Sequence, residues 1–179
     1  MKTLDECLAE LNNIEGLENI KKEINEFVNL HKVFAQRKKF GLVVPQITYN
    51  LIFGFDNQDK VNKIIEIILN IYYLLGIITE EKIIRKKSDD IICYHIGATA
   101  TRANDIINES LGGILLVNDF CNFVRTDKID YGREAVDVFY KALNSFDNFI
   151  MIIVDKKKEI NEFIKSNPTF AYKFNRSFF

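Results

Sequence analysis

The sequence predicts an α/β fold, a three-layer sandwich around a mainly parallel five-stranded sheet. Short apolar runs alternate along the chain with segments of helical periodicity, which is the pattern of a sheet covered by helices. Two of these runs, residues 114–117 and 149–154, are continuously apolar, as is typical of parallel strands buried on both faces. With 179 residues and 47% hydrophobic side chains, the chain has enough apolar surface for one such unit.

Two helices are predicted before the sheet. Thr3 and Glu6 have the spacing of a capping box, so the first helix should begin directly after Thr3. A second amphipathic helix is predicted from about Leu17 to the basic turn at residues 37–39, before Gly41. The basic turn complements the negative end of the helix dipole, which is sufficient explanation for its charge.

The remaining elements alternate between strand and helix. The predicted strands are residues 49–54, 82–85, 114–117, 149–154 and 172–179, and the predicted helices are residues 60–75, 99–111, 131–144 and 156–165. The helix at 60–75 is apolar on nearly every side, as expected between a sheet and another layer, and it is too short and too charged to span a membrane. Ligands of parallel sheets bind beyond the carboxyl ends of the strands, so chemistry is expected after Phe53, Val117 and Val154.

Charge and composition exclude several classes of function. The chain carries 24 Lys and Arg against 25 Asp and Glu, a net charge of −1, which gives no surface for neutralising nucleic-acid phosphates. The short basic runs at residues 85–87 and 156–158 are interpreted as solvated faces. The amino-terminal segment is amphipathic and lacks the apolar core of a signal peptide. We therefore expect a cytoplasmic protein that binds neither nucleic acid nor membrane.

The cysteines and histidines give no metal-binding pattern. Cys7, Cys93 and Cys121 include no Cys-x-x-Cys pair, and with His31 and His95 they lack zinc spacing. We therefore predict buried free thiols in a reducing compartment and no metal site. His31 lies on the apolar stripe of the second helix and is expected to pack there rather than to bind a ligand.

Residues 54–61 stand where a phosphate-binding loop would stand. They follow a strand and open a helix, and Gly54 and Lys60 keep the spacing of such a loop. A glycine and a lysine at this separation are a weak signal by themselves. The segments on either side make the signal much stronger.

Over about residues 14–174 the chain resembles the AAA+ ATPases of the CbbX and stage V sporulation protein K group. The matching segments, in unbroken order, are EGLENIKKEI (15–24), RKKFGL (37–42), LIFG (51–54), YLLGI (73–77), IGATA (96–100), LGGILLVND (111–119) and SNP (166–168). The resemblance implies the P-loop NTPase-like fold. It places the Walker A loop at 54–61, the end of the Walker B strand at 118–119, the pore loop near 96–100 and the arginine-finger loop after 166–168.

The Walker A loop departs from the family pattern. Asp59 takes the place of the second glycine, and side chains enter the loop at Phe55, Asn57 and Gln58. The family needs glycines here because backbone N–H groups must close around a phosphate. Asp56 and Asp59 would also face a polyphosphate anion, and like charges this close cost on the order of 1 kcal/mol.

The metal and water positions depart as well. Val61 stands where a Ser or Thr hydroxyl holds Mg²⁺, and a methyl group cannot ligate the ion. Asn118 and Asp119 replace the Asp-Glu pair of the family, which weakens the magnesium ligand and shortens the reach to the attacking water. The lysine of the Walker A pattern is present as Lys60, and we interpret it as a surface lysine. Asp119 is expected to bond to nearby backbone at the strand end.

The trans-acting elements of the family also look lost, together with the first sensor position and the lid. Ala171 and Lys173 stand where the family usually carries arginines, and a lysine replaces an arginine finger poorly. Arg176 is expected to be solvated or salt-bridged. At the first sensor position, residues 154–157, we expect no polar side chain that could orient the γ-phosphate. The sequence stops at Phe179, where the family continues into a helical lid.

We interpret the chain as a degenerate AAA+ domain without a lid, because these distant departures share one function, ATP hydrolysis. Residues 1–45 form an N-terminal helical segment that packs on the core at 46–179, as one compact unit. The favoured function is a catalytically inactive module without cofactor that acts by protein–protein interaction as an assembly factor, scaffold or structural subunit. The alternative is a nucleotide-sensing regulatory subunit that partners an active AAA+ ATPase.

Aromatic side chains supply the candidate interaction residues. Tyr94 and His95 precede the pore-loop segment, where active members of the family grip a client polypeptide. The candidates near the end of the chain are Phe170, Tyr172, Phe178 and Phe179. Most are expected in the core of an edge strand, and those left uncovered would form an apolar patch that marks a protein interface. The expected partners are one or more proteins, by self-association or within a larger complex.

Overall fold

A computed structural model describes residues 2–56, 58–124 and 131–179, with only the backbone of Gln58. Eight α-helices and five strands alternate over these residues, with one 3₁₀ helix at Phe120–Val124. The helices are α1 Leu4–Asn13, α2 Glu18–Lys39, α3 Gln58–Leu74, α4 Ser88–Ile91, α5 Ala98–Ser110, α6 Tyr131–Ser145, α7 Lys157–Ser166 and α8 Pro168–Ala171. The strands are β1 Leu51–Gly54, β2 Ile83–Lys87, β3 Ile114–Asn118, β4 Ile150–Asp155 and β5 Arg176–Phe178.

The five strands form one sheet in the order β2-β3-β4-β1-β5, and every neighbouring pair is parallel. The predicted fold class is confirmed, with a sheet that is parallel throughout rather than mainly parallel. The register pairs Gly54 with Asp155 and Asn118 with Val154. The carboxyl ends of β1, β3 and β4 therefore meet at one edge, which is where a ligand of such a sheet would lie.

Each face of the sheet is covered by its own apolar cluster. On one face α1, α2 and α3 contribute side chains such as Cys7, Leu11 and Val61, all at most 1% exposed. On the other face Phe120 is fully buried and its ring lies 5.2–6.5 Å from four other phenylalanine rings. These two clusters are the outer layers of the predicted sandwich.

The helix ends follow the sequence signals. The Thr3 hydroxyl accepts the Glu6 N–H at 3.3 Å, and Glu6 Oε2 accepts the Thr3 N–H at 2.7 Å, which is the predicted capping box. This capping contact also holds the pKa of Glu6 below its ordinary value. After α2, Gly41 has φ +67°, the left-handed conformation that ends helices.

The end of the chain differs from the prediction. A strand was expected over residues 172–179, but β5 spans only Arg176–Phe178. Residues 172–175 form a turn and a bend that follow the short helix α8, which Pro168 begins because proline is well placed at the first position of a helix. No helix within the described residues combines the length and the hydrophobicity needed to cross a membrane.

Candidate functional site

The end of β1 is covered rather than open. A Cβ atom built on Gly54 would lie 2.8 Å from Phe179 Cδ1 and 3.3 Å from Lys157 Cα. Only glycine tolerates this approach without a shift of its neighbours. The next residue, Phe55, donates its N–H to the Asp155 carbonyl at 3.0 Å. The Phe179 ring and the start of α7 therefore lie against the strand end that would open a phosphate loop.

Lys60 is bound to the N-terminal helical layer. Its Nζ lies 3.1 Å from the carbonyl oxygen of Glu15, which belongs to the connection between α1 and α2. The side chain is exposed, in agreement with the sequence interpretation, but its ammonium group is directed to a backbone carbonyl. Asp59 is exposed in the first turn of α3, where a carboxylate is favourable for the helix dipole.

The loop before Lys60 is described in part. Asp56 is exposed, and Phe55 is half-buried with its ring 6.5 Å from that of Phe53. Asn57, to which the sequence analysis also assigned a place in the loop, lies outside the described residues, as does the side chain of Gln58.

Val61 is part of the hydrophobic core. It is 1% exposed and packs in the cluster formed by α1, α2, α3 and one face of the sheet. The position that carries a hydroxyl in the resembled family is therefore filled by apolar packing. Placing a polar group here without a partner would cost on the order of 1–3 kcal/mol.

Asn118 and Asp119 lie at the end of β3, as predicted. Asn118 is half-buried, in register with Lys87 of β2 and Val154 of β4. Asp119 has φ +54°, a left-handed conformation that is uncommon outside glycine but accessible to Asp and Asn. Its carbonyl oxygen accepts the Asn122 N–H at 3.1 Å, so the bond predicted for Asp119 is made by its backbone.

Asp155 has a structural role that the sequence did not predict. The expectation for residues 154–157 was only that no polar side chain would orient a γ-phosphate, whereas the Asp155 carboxylate is buried, with the residue only 7% exposed. Its Oδ2 accepts the Cys121 N–H at 2.8 Å and its Oδ1 accepts the Lys156 N–H at 2.7 Å. The available signal was a carboxylate directly after five buried apolar residues. The group ties the 3₁₀ helix to the end of β4.

The segment that matches the arginine-finger loop is used for packing. Lys173 Nζ lies 5.7 Å from the centre of the Tyr140 ring, a cation–π contact. Arg176 Nη1 lies 2.8 Å from Glu23 Oε2, so the predicted salt-bridged arginine joins β5 to α2.

The described residues hold no cluster of three potential metal ligands among His, Cys, Asp and Glu. The three cysteines are free thiols, with Cys7 and Cys121 buried and Cys93 half-buried. Cys93 therefore departs from the expected burial. Its N–H donates to the Thr99 hydroxyl at 2.9 Å, and its thiol lies 3.6 Å from the Ile91 carbonyl oxygen and 3.8 Å from Arg102 Nη1, so both its backbone and its thiol belong to the local network.

The candidate interaction residues divide into two groups. Phe170 and Phe178 are 5% and 3% exposed, so they belong to the core and not to a surface patch. Phe170 is buried because α8 places its ring among other aromatic rings. Tyr94, His95, Tyr172 and Phe179 are exposed. The Tyr94 ring packs edge-on against Tyr131 at 6.2 Å.

Comparison with known proteins supplies relatives along nearly the whole chain, although no family model matches it. Stage V sporulation protein K of Bacillus subtilis is 26% identical over 96% of this chain and 53% of its own length. The ESX-3 secretion system protein EccA3 of Mycolicibacterium smegmatis is 29% identical over 96% of this chain and 29% of its own length. The chloroplastic ribulose bisphosphate carboxylase/oxygenase activase of Cyanidioschyzon merolae is 27% identical over 94% of this chain and 58% of its own length.

These relatives confirm the predicted family resemblance. The chain spans about half the length of stage V sporulation protein K and less than a third of EccA3. The match therefore concerns the α/β domain described above.

Proposed function

We propose that this chain does not hydrolyse ATP and acts through contacts with other proteins. It serves as an assembly factor, scaffold or structural subunit. The chain carries a domain of the AAA+ type like that of stage V sporulation protein K. The observation that carries the proposal is the placement of Lys60 and Val61. The Lys60 ammonium lies on the Glu15 carbonyl, and Val61 is 1% exposed in the core.

Hydrolysis of ATP requires protein ligands for Mg²⁺ and for the phosphates. Mg²⁺ demands oxygen ligands in near-octahedral geometry, and Val61 offers none. The phosphates require backbone N–H groups and positive charge, whereas Asp56 and Asp59 place two exposed carboxylates on the loop. The Phe179 ring lies against Gly54 at the strand end. Each feature opposes binding or turnover separately, and together they support loss of hydrolysis.

The proposal is tested by ATP turnover of the full chain, measured with and without Mg²⁺. We expect no turnover above background, and the same result for Lys60→Ala. The control is Lys63→Ala, an exposed lysine on the same helix. Turnover that Lys60→Ala abolishes and Lys63→Ala leaves intact would show a working site and refute the proposal.

Nucleotide sensing without hydrolysis is the second candidate function, favoured by one observation. Gly54 and Lys60 retain their spacing, and the Lys60 side chain is exposed, so it could exchange the Glu15 carbonyl for a phosphate. Isothermal titration calorimetry with ATP, ADP and GTP at millimolar concentration separates the two functions. Binding that is lost in Lys60→Ala supports nucleotide sensing, and absence of heat with all three nucleotides excludes it.

A further inference from the structure

The end of α2 and the turn after it form an exposed segment, residues 32–43, called the arm below. The last buried residue of α2 is Val28, and every residue of the arm except Phe34 is exposed. Phe40 and Val43, at its tip, are 76% and 84% exposed. Of the ten large apolar side chains that are exposed within the described residues, half lie between residues 30 and 43. Exposed apolar side chains concentrated in this way mark a contact surface.

The arm is also the basic part of a slightly acidic chain. Its four basic residues are Lys32, Arg37, Lys38 and Lys39, and residues 27–55 include no acidic residue. Removing these four from the 24 basic and 25 acidic residues of the chain leaves 20 against 25, a net charge of −5. The small overall charge is thus the sum of a basic arm and an acidic remainder. A surface that complements the arm is anionic.

The backbone at the tip of the arm is hydrogen-bonded within the arm itself. The N–H groups of Phe40, Gly41 and Leu42 donate to carbonyls of residues 36–38, at 2.9–3.2 Å. Arg37 donates from Nε and Nη2 to the Val43 carbonyl, at 3.2 and 3.1 Å. Backbone groups that leave water for lipid must be bonded internally, because acyl chains offer no hydrogen bonds. A protein partner could supply such bonds itself, so this arrangement favours lipid.

The order of the side chains also suits the boundary between lipid headgroups and acyl chains. Lys38 and Lys39 directly precede Phe40, and all three are exposed. The long stems of the lysines allow their ammonium groups to stay at the headgroups while the apolar tip enters the acyl boundary. Each lysine close to an anionic lipid surface contributes about fivefold to the partition coefficient.

We propose that the arm docks the chain on the surface of an anionic lipid bilayer. The side chains of Phe40, Leu42 and Val43 lie in the interface, and those of Lys38 and Lys39 contact the headgroup phosphates. The contact is peripheral, made by one short segment. It revises the expectation, drawn from the whole sequence, that the chain binds no membrane. The inference goes beyond the proposed function and is independent of the loss of hydrolysis.

Cosedimentation of the full chain with lipid vesicles tests the contact. Wild type should bind vesicles of equimolar phosphatidylcholine and phosphatidylglycerol, and it should bind pure phosphatidylcholine at least about tenfold more weakly. Added salt should weaken the binding. Lys38→Gln combined with Lys39→Gln should reduce binding to the mixed vesicles about tenfold or more. The matched control, Lys156→Gln with Lys158→Gln, removes the same charge from two exposed lysines outside the arm and should bind nearly as wild type does.

Fluorescence measures whether the tip enters the lipid. The chain has no tryptophan, so Phe40→Trp places a single reporter at the tip. Mixed vesicles should shift its emission to shorter wavelength and protect it from acrylamide, because the indole moves from water into the interface. Tyr172→Trp, at a residue that is 85% exposed and outside the arm, should show neither change. Phe40→Ser should weaken vesicle binding about tenfold. Circular dichroism confirms that the variants are folded.

Three results would overturn the inference. The first is wild type that binds neither kind of vesicle. The second is vesicle binding during which the emission of Phe40→Trp stays unchanged. The third is a Phe40→Trp signal that responds to polyglutamate but not to the mixed vesicles, which would identify an acidic polypeptide as the partner. None of these results affects the ATP turnover assay, which tests hydrolysis alone.

Discussion

The interior of the sheet and its carboxyl edge are built from consecutive residues of the same strands, but they differ in what their side chains do. All four residues of β1, the first four of β3 and all six of β4 are buried. Immediately beyond, Phe55, Asn118 and Asp119 are half-buried, and Asp56 is exposed. One step along the chain therefore separates positions constrained by packing from positions available for chemistry.

The difference between these regions shows that the stability of the sheet does not depend on the chemistry of its edge. Apolar burial of the strands stabilises the sheet, and that free energy does not depend on which polar groups stand at the edge. At the edge, the side chains of Asp155 and Lys60 form hydrogen bonds with backbone groups. Asp155 bonds two backbone N–H groups, and Lys60 bonds the Glu15 carbonyl. These two edge side chains therefore make contacts that hold the fold together.

The largest effect is expected from breaking the interior. Phe120→Ala removes a fully buried ring that contacts Phe123, Phe139, Phe163 and Phe170. We expect a loss of about 3–5 kcal/mol of the free energy of unfolding, measured by urea denaturation. Tyr172→Ala, at an aromatic residue that is 85% exposed, should change that free energy by less than about 0.5 kcal/mol. Equal losses would contradict the contrast between interior and surface aromatics.

The next effect concerns the edge carboxylate that the sequence analysis missed. Asp155→Asn replaces one acceptor oxygen with an NH₂ group that faces a backbone N–H donor, of Cys121 or of Lys156. We expect a loss of about 1.5–3 kcal/mol, since hydrogen bonds to a charged group are involved. The matched variant is Asp119→Asn, where the bond to Asn122 is made by the backbone. Asn also accepts its φ of +54°, so it should change stability by less than about 0.5 kcal/mol.

A smaller effect is expected where an edge position has joined the interior. Val61→Thr introduces the hydroxyl group that the AAA+ family carries at this Walker A position. In this chain the hydroxyl would be buried in an apolar cluster. We expect a loss of about 1–2 kcal/mol by urea denaturation. Asn62→Thr, at an exposed neighbour on α3, should be nearly neutral. A Val61→Thr chain that gained Mg²⁺-dependent ATP turnover would mean that the position still belongs to a working site.

Much of the fold was predictable because it depends on local periodicity. The predicted limits of the helices at 60–75, 99–111 and 131–144 fall within two residues of those observed, since their apolar stripes are long and regular. The expected last strand, at residues 172–179, is observed only over Arg176–Phe178. The helical turn that Pro168 begins continues into a turn at residues 172–173, and the hydrophobicity of the aromatic residues alone did not distinguish a turn from a strand.

The candidate site was less predictable because its contacts join distant parts of the chain. Residue identity alone was enough to predict that Lys60 is exposed and that position 61 has no hydroxyl group. The partner of Lys60 is 45 residues away, and Phe179 reaches Gly54 from the far end of the chain. No spacing pattern encodes such pairs. The bonding role of Asp155 could have been predicted from the sequence, because a carboxylate that directly follows a buried strand needs hydrogen-bond partners.

The smallest effect, and the one that depends on pH, lies away from the edge at His31. This ring packs between Phe27 and Tyr49, its Nε2 is 3.3 Å from the Leu75 carbonyl, and its buried Nδ1 has no hydrogen-bond partner among the described residues. Burial lowers the pKa of His31 below its ordinary value of 6.5, and the Lys38 charge acts in the same direction, against the opposing effect of the Leu75 carbonyl. The unfolded chain therefore binds a proton more readily than the folded chain.

Stability should consequently fall as the pH drops through the region below about 6.5, because protonation there favours the unfolded state. Urea midpoints at about pH 7.5 and about pH 5.5 measure the change. His31→Phe should show a smaller decrease than wild type over this interval, whereas His95→Phe, at an exposed histidine, should decrease as wild type does. If His31→Phe and wild type lose stability equally, the acid sensitivity belongs to carboxylates elsewhere, and the ring at position 31 contributes packing alone.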